Sequence, residues 1–534
     1  MAQIKFRADI TTAAFPLLYD WAGRTVLQPT TPEGAPPVTT PQVLYAQDVL
    51  PTIQGYKSVS YKDLVPAASP VNTNFVQEYT VSDPAQNKAL IGITKDSKIY
   101  ILTNALPTWV DVTPIGWAGG DAVSVGNANG TYYLYLANKG CYAVGITTPG
   151  LTLTTLIGIT AANILGIFSA VNYLLLWDAA GVIYWGGTTT ATTLDFTFSL
   201  ITGAGSATPY DIMGRIVTVV SLNNGYVIYT NNNIILASFS NNTQFPWIWR
   251  NANNGSGIAD KYQVSYSHDL AFHVANTFAG ILQVTPQGCE VIVPEVTDFL
   301  AARVYESYDS VNNVIVKQAL TANVVTRINV LGARYIVLSY GITTLTDVIV
   351  YDSALKRWGR LSIPHTCCFE IETSMEGVIQ PYNQASEIGA TYAAASPQTY
   401  GSTTVSLGNP PLVGRIFGFL QASGTVRLAY LDYSSVADSG VLMLGKFQAR
   451  RDYLLELEEI AVETIPTGTN FTLLDLASIN GKDLLPAISP IVVLSGAGIQ
   501  LYKCRVVSKN HTLVFKGSFN LTTVDITATL GSRR

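Results

Sequence analysis

The most constraining feature of this 534-residue sequence is a hairpin pattern that recurs from about residue 85 to about residue 400. In each unit, an apolar run of strand composition leads into a short turn rich in Asn, Asp or Gly, and a second apolar run follows. Two such runs around such a turn predict a β-hairpin. Four examples are ALIGITKDSKIYILT, YYLYLANKGCYAVG, NYLLLWDAAGVIYWGG and GYVIYTNNNIILASF, with turns at Lys95–Ser97, Asn138–Gly140, Asp178–Gly181 and Asn231–Asn233.

The spacing of the hairpins indicates a repeat architecture. Their first strands begin near Lys88, Tyr132, Asn172, Gly225, Asp269 and Ala333, at intervals of about 44, 40, 53, 44 and 64 residues. Propeller blades of four strands repeat roughly every 40–50 residues. We therefore expect an all-β chain in which residues 85–400 form a β-propeller of about six blades, with insertions in the later ones. A β-sandwich or a β-helix is the alternative, although a β-helix needs a shorter period than any seen here.

The segments on either side of the repeat have different compositions. Residues 1–84 include the Pro-rich stretch LQPTTPEGAPPVTTPQ, which predicts an extended arm that becomes ordered on a neighbour, and then two strands around a Gly turn. Residues 370–410 are rich in Ala, Ser, Gly and Pro and predict a linker. Residues 401–534 contain about seven more segments of strand composition, so we expect a C-terminal β unit resembling a sandwich.

Charge is scarce along the whole chain. Charged residues make up 13% of the sequence, against about 25% in ordinary soluble proteins, and the net charge is −5. A surface without charges is usually covered by partners, so we expect an oligomer or a larger assembly. The mild acidity gives no general attraction for nucleic acid. The five cysteines predict free thiols in a reducing cytoplasm, and no segment suggests a secretion signal or a membrane span.

Candidates for catalysis or metal binding are weak. His268 and His273 are five residues apart, which places them on opposite faces of a strand. The stretch HTCC joins His365 to Cys367 and Cys368, but no second half-site lies nearby. The sequence has no nucleophile elbow, phosphate-binding loop or dinucleotide fingerprint. We therefore expect no enzymatic activity, no cofactor and no metal.

One basic stretch, VIVYDSALKRWGRL, places three cations around a tryptophan. We expect Asp352 to set a turn and Trp358 to pack between blades. Lys356, Arg357 and Arg360 would then form a solvated corner of a late blade. Contact with nucleic acid or an acidic partner is the alternative. Because charge is scarce elsewhere, these cations are the first candidates for an ion pair between subunits.

Two further sites are candidates for partner contacts. In FPWIWR, Trp247 and Trp249 predict either a core cluster that closes a blade or a loop tip that contacts a protein or a glycan. The chain ends in GSRR, whose Arg533 and Arg534 form a small basic tip.

The two ends of the chain resemble a known family. PQVLYAQDVLPTIQGYKSVSY resembles the start, and NHTLVFKGSFNLTTVDITATLGSRR the end, of bacteriophage tail and head-completion proteins. Together these motifs cover about a tenth of the chain. On them the chain is similar to the tail nozzle (tail tubular) proteins of short-tailed phages, and less so to packaged-DNA stabilisation proteins. The resemblance implies a β-propeller body, a homo-oligomeric ring of six copies and no catalytic residues.

This resemblance implies a structural role in the virion tail. Such a ring, assembled in the host cytoplasm, extends the channel of a portal or adaptor protein and contacts tail fibres or other tail proteins. It helps to retain the genome and conducts double-stranded DNA without reading its sequence. The rival hypotheses are a receptor-binding propeller that uses Trp247 and Trp249, and a glycan-cleaving propeller, which would need two carboxylates set against a sugar.

Overall fold

A computed structural model describes the chain in segments. These are residues 3–9, 26–27, 38–39, 43–63, 75–85, 87–103, 109–190, 192–242, 245–267, 270–293, 296, 300, 304–309, 311, 314–319, 325–332, 334–342, 344–372, 415–420, 428–432, 439–448, 453–464, 470–478, 492–495, 498–508 and 510–533. Strands dominate these segments, which also contain two 3-10 turns, Ala161–Asn163 and Lys261–Gln263. No helix within them is long and apolar enough to cross a membrane.

Seven strands precede the repeat, and the first three blades follow. The leading strands are β1 (Gln3–Asp9), β2 (Val26–Leu27), β3 (Val38–Thr39), β4 (Val43–Gln47), β5 (Val49–Thr52), β6 (Gly55–Ser58) and β7 (Ser60–Asp63). Blade 1 contains β8 (Phe75–Ser82), β9 (Lys88–Thr94), β10 (Ile99–Thr103) and β11 (Val110–Asp111). Blade 2 contains β12 (Val123–Ala128), β13 (Thr131–Leu136), β14 (Gly140–Gly145) and β15 (Gly150–Ile157). Blade 3 contains β16 (Ile164–Ala170), β17 (Tyr173–Asp178), β18 (Ile183–Thr190) and β20 (Gly205–Ala207), and β19 (Thr193–Asp195) joins it to blade 2.

Three more blades and an inserted hairpin come next. Blade 4 contains β21 (Ile216–Leu222), β22 (Gly225–Thr230), β23 (Asn233–Phe239) and β24 (Trp247–Asn254). Blade 5 contains β25 (Val264–Tyr266), β26 (His273–Thr277), β27 (Gly280–Thr285) and β28 (Gly288–Val293). A two-stranded hairpin, β29 (Val304–Asp309) and β30 (Val314–Ala319), precedes blade 6. Blade 6 contains β31 (Val325–Leu331), β32 (Tyr335–Gly341), β33 (Asp347–Asp352) and β34 (Arg357–Leu361).

The remaining strands form a seventh propeller sheet and a C-terminal unit. They are β35 (Cys368–Glu372), β36 (Arg415–Leu420), β37 (Leu428–Asp432), β38 (Val441–Gln448), β39 (Tyr453–Thr464), β40 (Asn470–Ser478), β41 (Val492–Ser495), β42 (Gly498–Ser508), β43 (Asn510–Ser518) and β44 (Asn520–Arg533). β35, β36 and β37 pair in sequence, and β7 from the N-terminal region adds as their fourth strand. β36 and β37, which the sequence suggested as part of the C-terminal unit, thus belong to this sheet. Most of the predicted linker, residues 373–414, lies outside the described residues.

The propeller arrangement follows from burial on both faces of each blade. In β13, Leu134 and Leu136 pack towards blade 1, whereas Tyr133 and Tyr135 pack towards blade 3. This explains why the central strands are almost continuously apolar, since alternate side chains enter opposite inter-blade layers. The first strands of neighbouring blades also pack beside one another, as β12, β16 and β21 do. The all-β propeller is therefore confirmed, and the sheet of β35, β36, β37 and β7, which packs against blade 6, adds one to the roughly six blades predicted.

The C-terminal unit has two packed sheets, as a sandwich requires. One contains β39, β42 and β44, and the other contains β38, β40, β41 and β43. Their shared core includes Leu457, Ile526, Phe471 and Phe515.

The N-terminal strands complete the sandwich. β1 pairs along its seven residues with β44, and β4 pairs with β38. β1, β2 and β4 therefore lie on the chain's own C-terminal unit, whereas the sequence predicted an arm ordered on a neighbour. Most of the Pro-rich stretch itself is outside the described residues.

Candidate functional site: the joint and the axis of the propeller

The turn between β33 and β34 has the predicted form. Asp352 Oδ1 accepts hydrogen bonds from the amides of Ala354 at 3.0 Å and Leu355 at 3.1 Å. The Arg334 guanidinium donates to both carboxylate oxygens, with a shortest distance of 2.7 Å. Lys356 is exposed at the end of the turn, where its φ is 53°. The predictions for Asp352 and for the solvent exposure of Lys356 are confirmed.

Trp358 also packs as predicted. Its side chain is 5% exposed and lies in the apolar layer between blades 5 and 6, together with Ile281 and Leu338. Its ring centroid is 4.8 Å from that of Tyr351 on the neighbouring strand. Its backbone carbonyl accepts a hydrogen bond of 3.0 Å from the Tyr56 hydroxyl, which belongs to the N-terminal hairpin β5–β6.

The prediction that Arg357 and Arg360 are solvated is wrong. Arg357 is 8% exposed and Arg360 is 5% exposed, because the hairpin β5–β6 covers this edge of blade 6. Arg357 donates to the backbone carbonyls of Thr52 and Gly55, each at 3.2 Å, and its guanidinium lies 4.4 Å from the ring centroid of Tyr56. The guanidinium therefore supplies hydrogen-bond donors to the carbonyls at the tip of the hairpin.

Arg360 makes a buried ion pair within the chain. Its Nη2 is 2.8 Å from Oδ1 of Asp347, whose side chain is completely buried. Its guanidinium also lies 5.1 Å from the ring centroid of Tyr45 on β4. The ion pair that we expected between subunits is thus, for Arg360, an intramolecular one. We call Asp347, Arg357, Arg360, Tyr45 and Tyr56 the arginine joint.

The arginine joint connects blade 6 to the C-terminal sandwich. β34 pairs with β5, β5 with β6, and β6 with β44, so one hydrogen-bonded sheet runs from the propeller into the sandwich. At the last step the Ser58 amide donates to the Phe519 carbonyl at 3.0 Å. Neighbouring Asp48 accepts from the Ser362 amide at 2.9 Å, and burial raises the pKa of Asp48 to about 6.

A second group of polar side chains spans the propeller axis. Lys261 and Tyr262, in the 3-10 turn before blade 5, reach to the opposite side of the ring. Lys261 Nζ donates to Oε1 of Gln77 in blade 1 at 2.8 Å and to the carbonyl of Asp121, which precedes blade 2. The Tyr262 hydroxyl donates to the Asp121 carboxylate. Burial lowers the pKa of Lys261 to about 8.

Blade 6 contributes Arg327 to the same group. Its guanidinium donates to the carbonyl of Val76 in blade 1 and lies 4.1 Å from the ring centroid of Tyr262. Gln77, Asp121, Lys261, Tyr262 and Arg327 form what we call the axial network. Its hydrogen bonds join blades 1, 2, 5 and 6 across the axis, so side chains of this chain occupy that space.

The ring closes beside a buried carboxyl group. Cys367, just before β35, donates through its thiol to Oε1 of Glu78 on β8 at 2.6 Å. Burial raises the pKa of Glu78 to about 7, although the thiol hydrogen bond and the charge of Arg327 act in the opposite direction. Burial, followed by the nearby Glu78 charge, holds the pKa of the Cys367 thiol well above its usual range. A thiol of this kind is a poor nucleophile.

Two of the described histidines, His273 and His365, are held in the core by hydrogen bonds. His273 is buried, with Nδ1 2.9 Å from the Tyr229 hydroxyl and Nε2 2.6 Å from the Ser221 carbonyl oxygen. His365 is buried, with Nε2 2.8 Å from the Ser339 hydroxyl. Burial lowers the pKa of each to about 4. No group of three His, Cys, Asp or Glu side chains in the described segments could hold a metal ion, and His268 lies outside those segments.

Trp247 belongs to the core and Trp249 is partly buried against it, as one of the two readings predicted. Trp247 is 3% exposed, and its ring centroid is 4.8 Å from that of Tyr226. Trp249 Nε1 donates to the Tyr226 hydroxyl at 3.0 Å. Their exposed neighbours are Phe245 and Ile248. Arg533 ends β44, where it pairs with Tyr453, and Arg534 lies outside the described residues.

Replacing Tyr262 with phenylalanine tests the axial network. The change leaves the Asp121 carboxylate without this donor, so we expect the free energy of unfolding to fall by about 1–3 kcal/mol. Tyr210→Phe is the matched control, because the Tyr210 hydroxyl bonds one carbonyl at 3.3 Å and the residue is 78% exposed. Denaturant unfolding of both variants gives the comparison, and equal losses would contradict a stabilising role for the network.

Comparisons with known proteins add little to this picture. The chain matches no protein-family model and no curated protein. Among solved structures it is similar to the WD40 β-propeller domain of Doa1, with 9% sequence identity and a TM-score of 0.37, over 69% of this chain and 97% of that domain. The propeller assignment therefore depends on the sheet order and inter-blade packing described above, and the family of the chain stays a prediction.

Proposed function

We propose that this protein is a structural component of a phage virion tail, a nozzle or tail-tube ring of about six copies. In this role it extends the portal or adaptor channel, helps to retain the genome and conducts double-stranded DNA during ejection. The observation that best supports the proposal is the single sheet that runs from blade 6 through the arginine joint into the C-terminal sandwich. A ring under pressure from packaged DNA needs its two units to move together, and a shared sheet couples them.

Two other features agree with a structural role. The low content of charged residues, 13%, suits a surface that is covered in an assembly. The axial network fills the centre of the propeller with the chain's own side chains. In the proposed ring, DNA therefore passes between copies, through the centre of the ring, and not along the axis of any one propeller.

The proposal predicts a defined assembly. Purified protein should form rings of about six copies with a central opening, and native mass spectrometry with negative-stain imaging measures both properties. Trimers, or a monomer that binds glycans in an array, would contradict the ring and favour the receptor-binding alternative. Hydrolysis of a glycan substrate, lost on replacing a single Asp or Glu, would favour a glycan-cleaving enzyme instead.

A further inference from the structure

Two uncharged segments at the rim of blades 3 and 4 expose large apolar side chains. Residues 196–210 and 239–249 contain no Lys, Arg, Asp or Glu. Their exposed members, which we call the rim patch, are Phe198 (64%), Leu200 (60%), Ile201 (98%), Tyr210 (78%), Phe245 (62%) and Ile248 (61%). Single exposed apolar residues are ordinary, but several in charge-free neighbouring segments mark an interaction surface.

The two segments cover one hydrophobic cluster. The Tyr210 hydroxyl donates to the Trp249 carbonyl at 3.3 Å, which places Tyr210 beside Ile248 on the outermost strand of blade 4. Phe198 and Trp185 both border the space above Gly205, where a β-carbon would lie 3.5 Å from Phe198 and 3.2 Å from Trp185. Trp185 and Trp249 belong to the same cluster between blades 3 and 4. The exposed side chains therefore extend a single core outwards.

The loop that carries Phe198, Leu200 and Ile201 of the rim patch is held in place. The Ser199 hydroxyl accepts hydrogen bonds from the amides of Ile201 at 3.3 Å and Thr202 at 3.2 Å. At the far end of the loop, the Gly203 carbonyl accepts a bond of 2.8 Å from Trp185 Nε1. A loop that is already ordered loses little entropy when a partner covers it.

We propose that the rim patch is the contact surface for a second copy of this chain in the ring, an inference that rests on the proposed function. Six large side chains, most of them more than 60% exposed, offer on the order of 800 Å². This is about what each partner contributes to a standard protein interface. The lack of charge argues against a nucleic-acid or acidic partner, and a second copy supplies an equally charge-poor surface. In a closed ring the patch meets a different surface of the next copy.

Replacing Ile201 with lysine tests the proposal. Burying a lysine without a partner in an apolar interface is costly, so we expect at least about a 30-fold rise in the concentration at which half of the rings dissociate. Light scattering after size exclusion, over a dilution series, measures this concentration. Leu200→Lys is the second variant, because it places the same charge elsewhere in the patch. Ile115→Lys is the matched control, an isoleucine 96% exposed on the loop before blade 2.

The outcomes separate this inference from the proposed function. Rings of the native chain that dissociate in both patch variants, but not in Ile115→Lys, support the rim patch. Rings that persist in both patch variants would show that the rim patch is not the contact surface, and the proposed function would stand. The same holds if the control Ile115→Lys dissociates as readily as the patch variants. A native chain that is monomeric at every concentration overturns both. Circular dichroism and melting temperature establish that each variant is folded, as expected for changes at exposed positions.

Discussion

Replacing Arg360 with methionine is expected to lower the free energy of unfolding by about 3–5 kcal/mol. The change leaves the carboxylate of Asp347, which is completely buried, without the cation that lies 2.8 Å away. It also removes the guanidinium from the face of Tyr45. Denaturant unfolding followed by tryptophan fluorescence measures the effect. The chain has eight tryptophans, and Trp358, two residues from Arg360, lies in the apolar layer between blades 5 and 6.

Two further variants make the result specific. Lys356→Met, in the exposed turn four residues earlier, should change stability by no more than about 0.5 kcal/mol. The double variant Arg360→Met with Asp347→Leu should recover most of the loss, because neither buried charge is then left alone. If Arg360→Met costs no more than Lys356→Met, the buried ion pair between β33 and β34 does not stabilise the fold.

Replacing Glu78 with glutamine is expected to change how stability depends on pH. Burial raises the pKa of Glu78 from 4.5 to about 7, so the folded chain holds this proton more tightly than the unfolded chain. The contribution of Glu78 to stability is therefore complete below pH 4.5 and is lost as the pH rises through about 7. The glutamine variant lacks this loss. Its free energy of unfolding, relative to that of the native chain, should therefore rise by up to about 3 kcal/mol between pH 5 and pH 8.

The quantity to measure is the difference in the free energy of unfolding between the native chain and Glu78→Gln at each pH. His273 and His365, whose pKa values are lowered to about 4, destabilise the native fold as the pH falls, and they do so equally in both proteins. Urea unfolding at several pH values gives the difference directly. Glu290→Gln, on the exposed outer strand of blade 5, is the control and should show no such trend. Parallel pH profiles for native chain and Glu78→Gln would mean that Glu78 stays charged in the folded protein.

The hairpin pattern of the sequence was sufficient to predict the blades. Each predicted hairpin is the central pair of a blade, as Lys88–Thr94 and Ile99–Thr103 are in blade 1. These central strands are buried on both faces, so their sequences are the most apolar and the easiest to detect. The longest predicted interval, about 64 residues, contains the inserted hairpin Val304–Ala319. The outer strands are harder to recognise because some have only two or three residues, as Val110–Asp111 does.

The seventh propeller sheet could not be predicted from local pattern. Its strand Ser60–Asp63 comes from the N-terminal region, whereas Leu428–Asp432, with which it pairs, follows the predicted linker. No local periodicity connects such distant segments. The same limit explains the error at Arg357 and Arg360, whose short polar turn resembles any solvated corner. Arg360 is covered by segments far away in the sequence, since it pairs with Val49, 311 positions earlier, and its guanidinium lies over the ring of Tyr45.

The axial network left a faint signal in the sequence. In a chain with so few charges, Asp121, Lys261 and Arg327 each lie within or just before the first strand of a blade, the strand nearest the axis. The shared position of these three residues becomes visible only after the blades have been assigned. The network can therefore be recognised from a known fold, but not from the sequence alone. The rim patch was easier to recognise, because FPWIWR was already a candidate contact site. Its exposed members are Phe245 and Ile248, whereas Trp247 is buried and Trp249 is partly buried.

The pairing of N-terminal strands with C-terminal strands also determines when the protein can complete its folding during synthesis. β6 (Gly55–Ser58) pairs with β44 (Asn520–Arg533), more than 460 positions later, and β7 pairs with β37. The strands of blades 1 to 6 are synthesised before β37 and β44, so these blades can form while β6 and β7 wait for their partners. Closure of long-range β pairs is slow. An unfinished chain would keep open sheet edges for that whole interval, and translational stalling late in the gene should therefore provoke aggregation more strongly than stalling early.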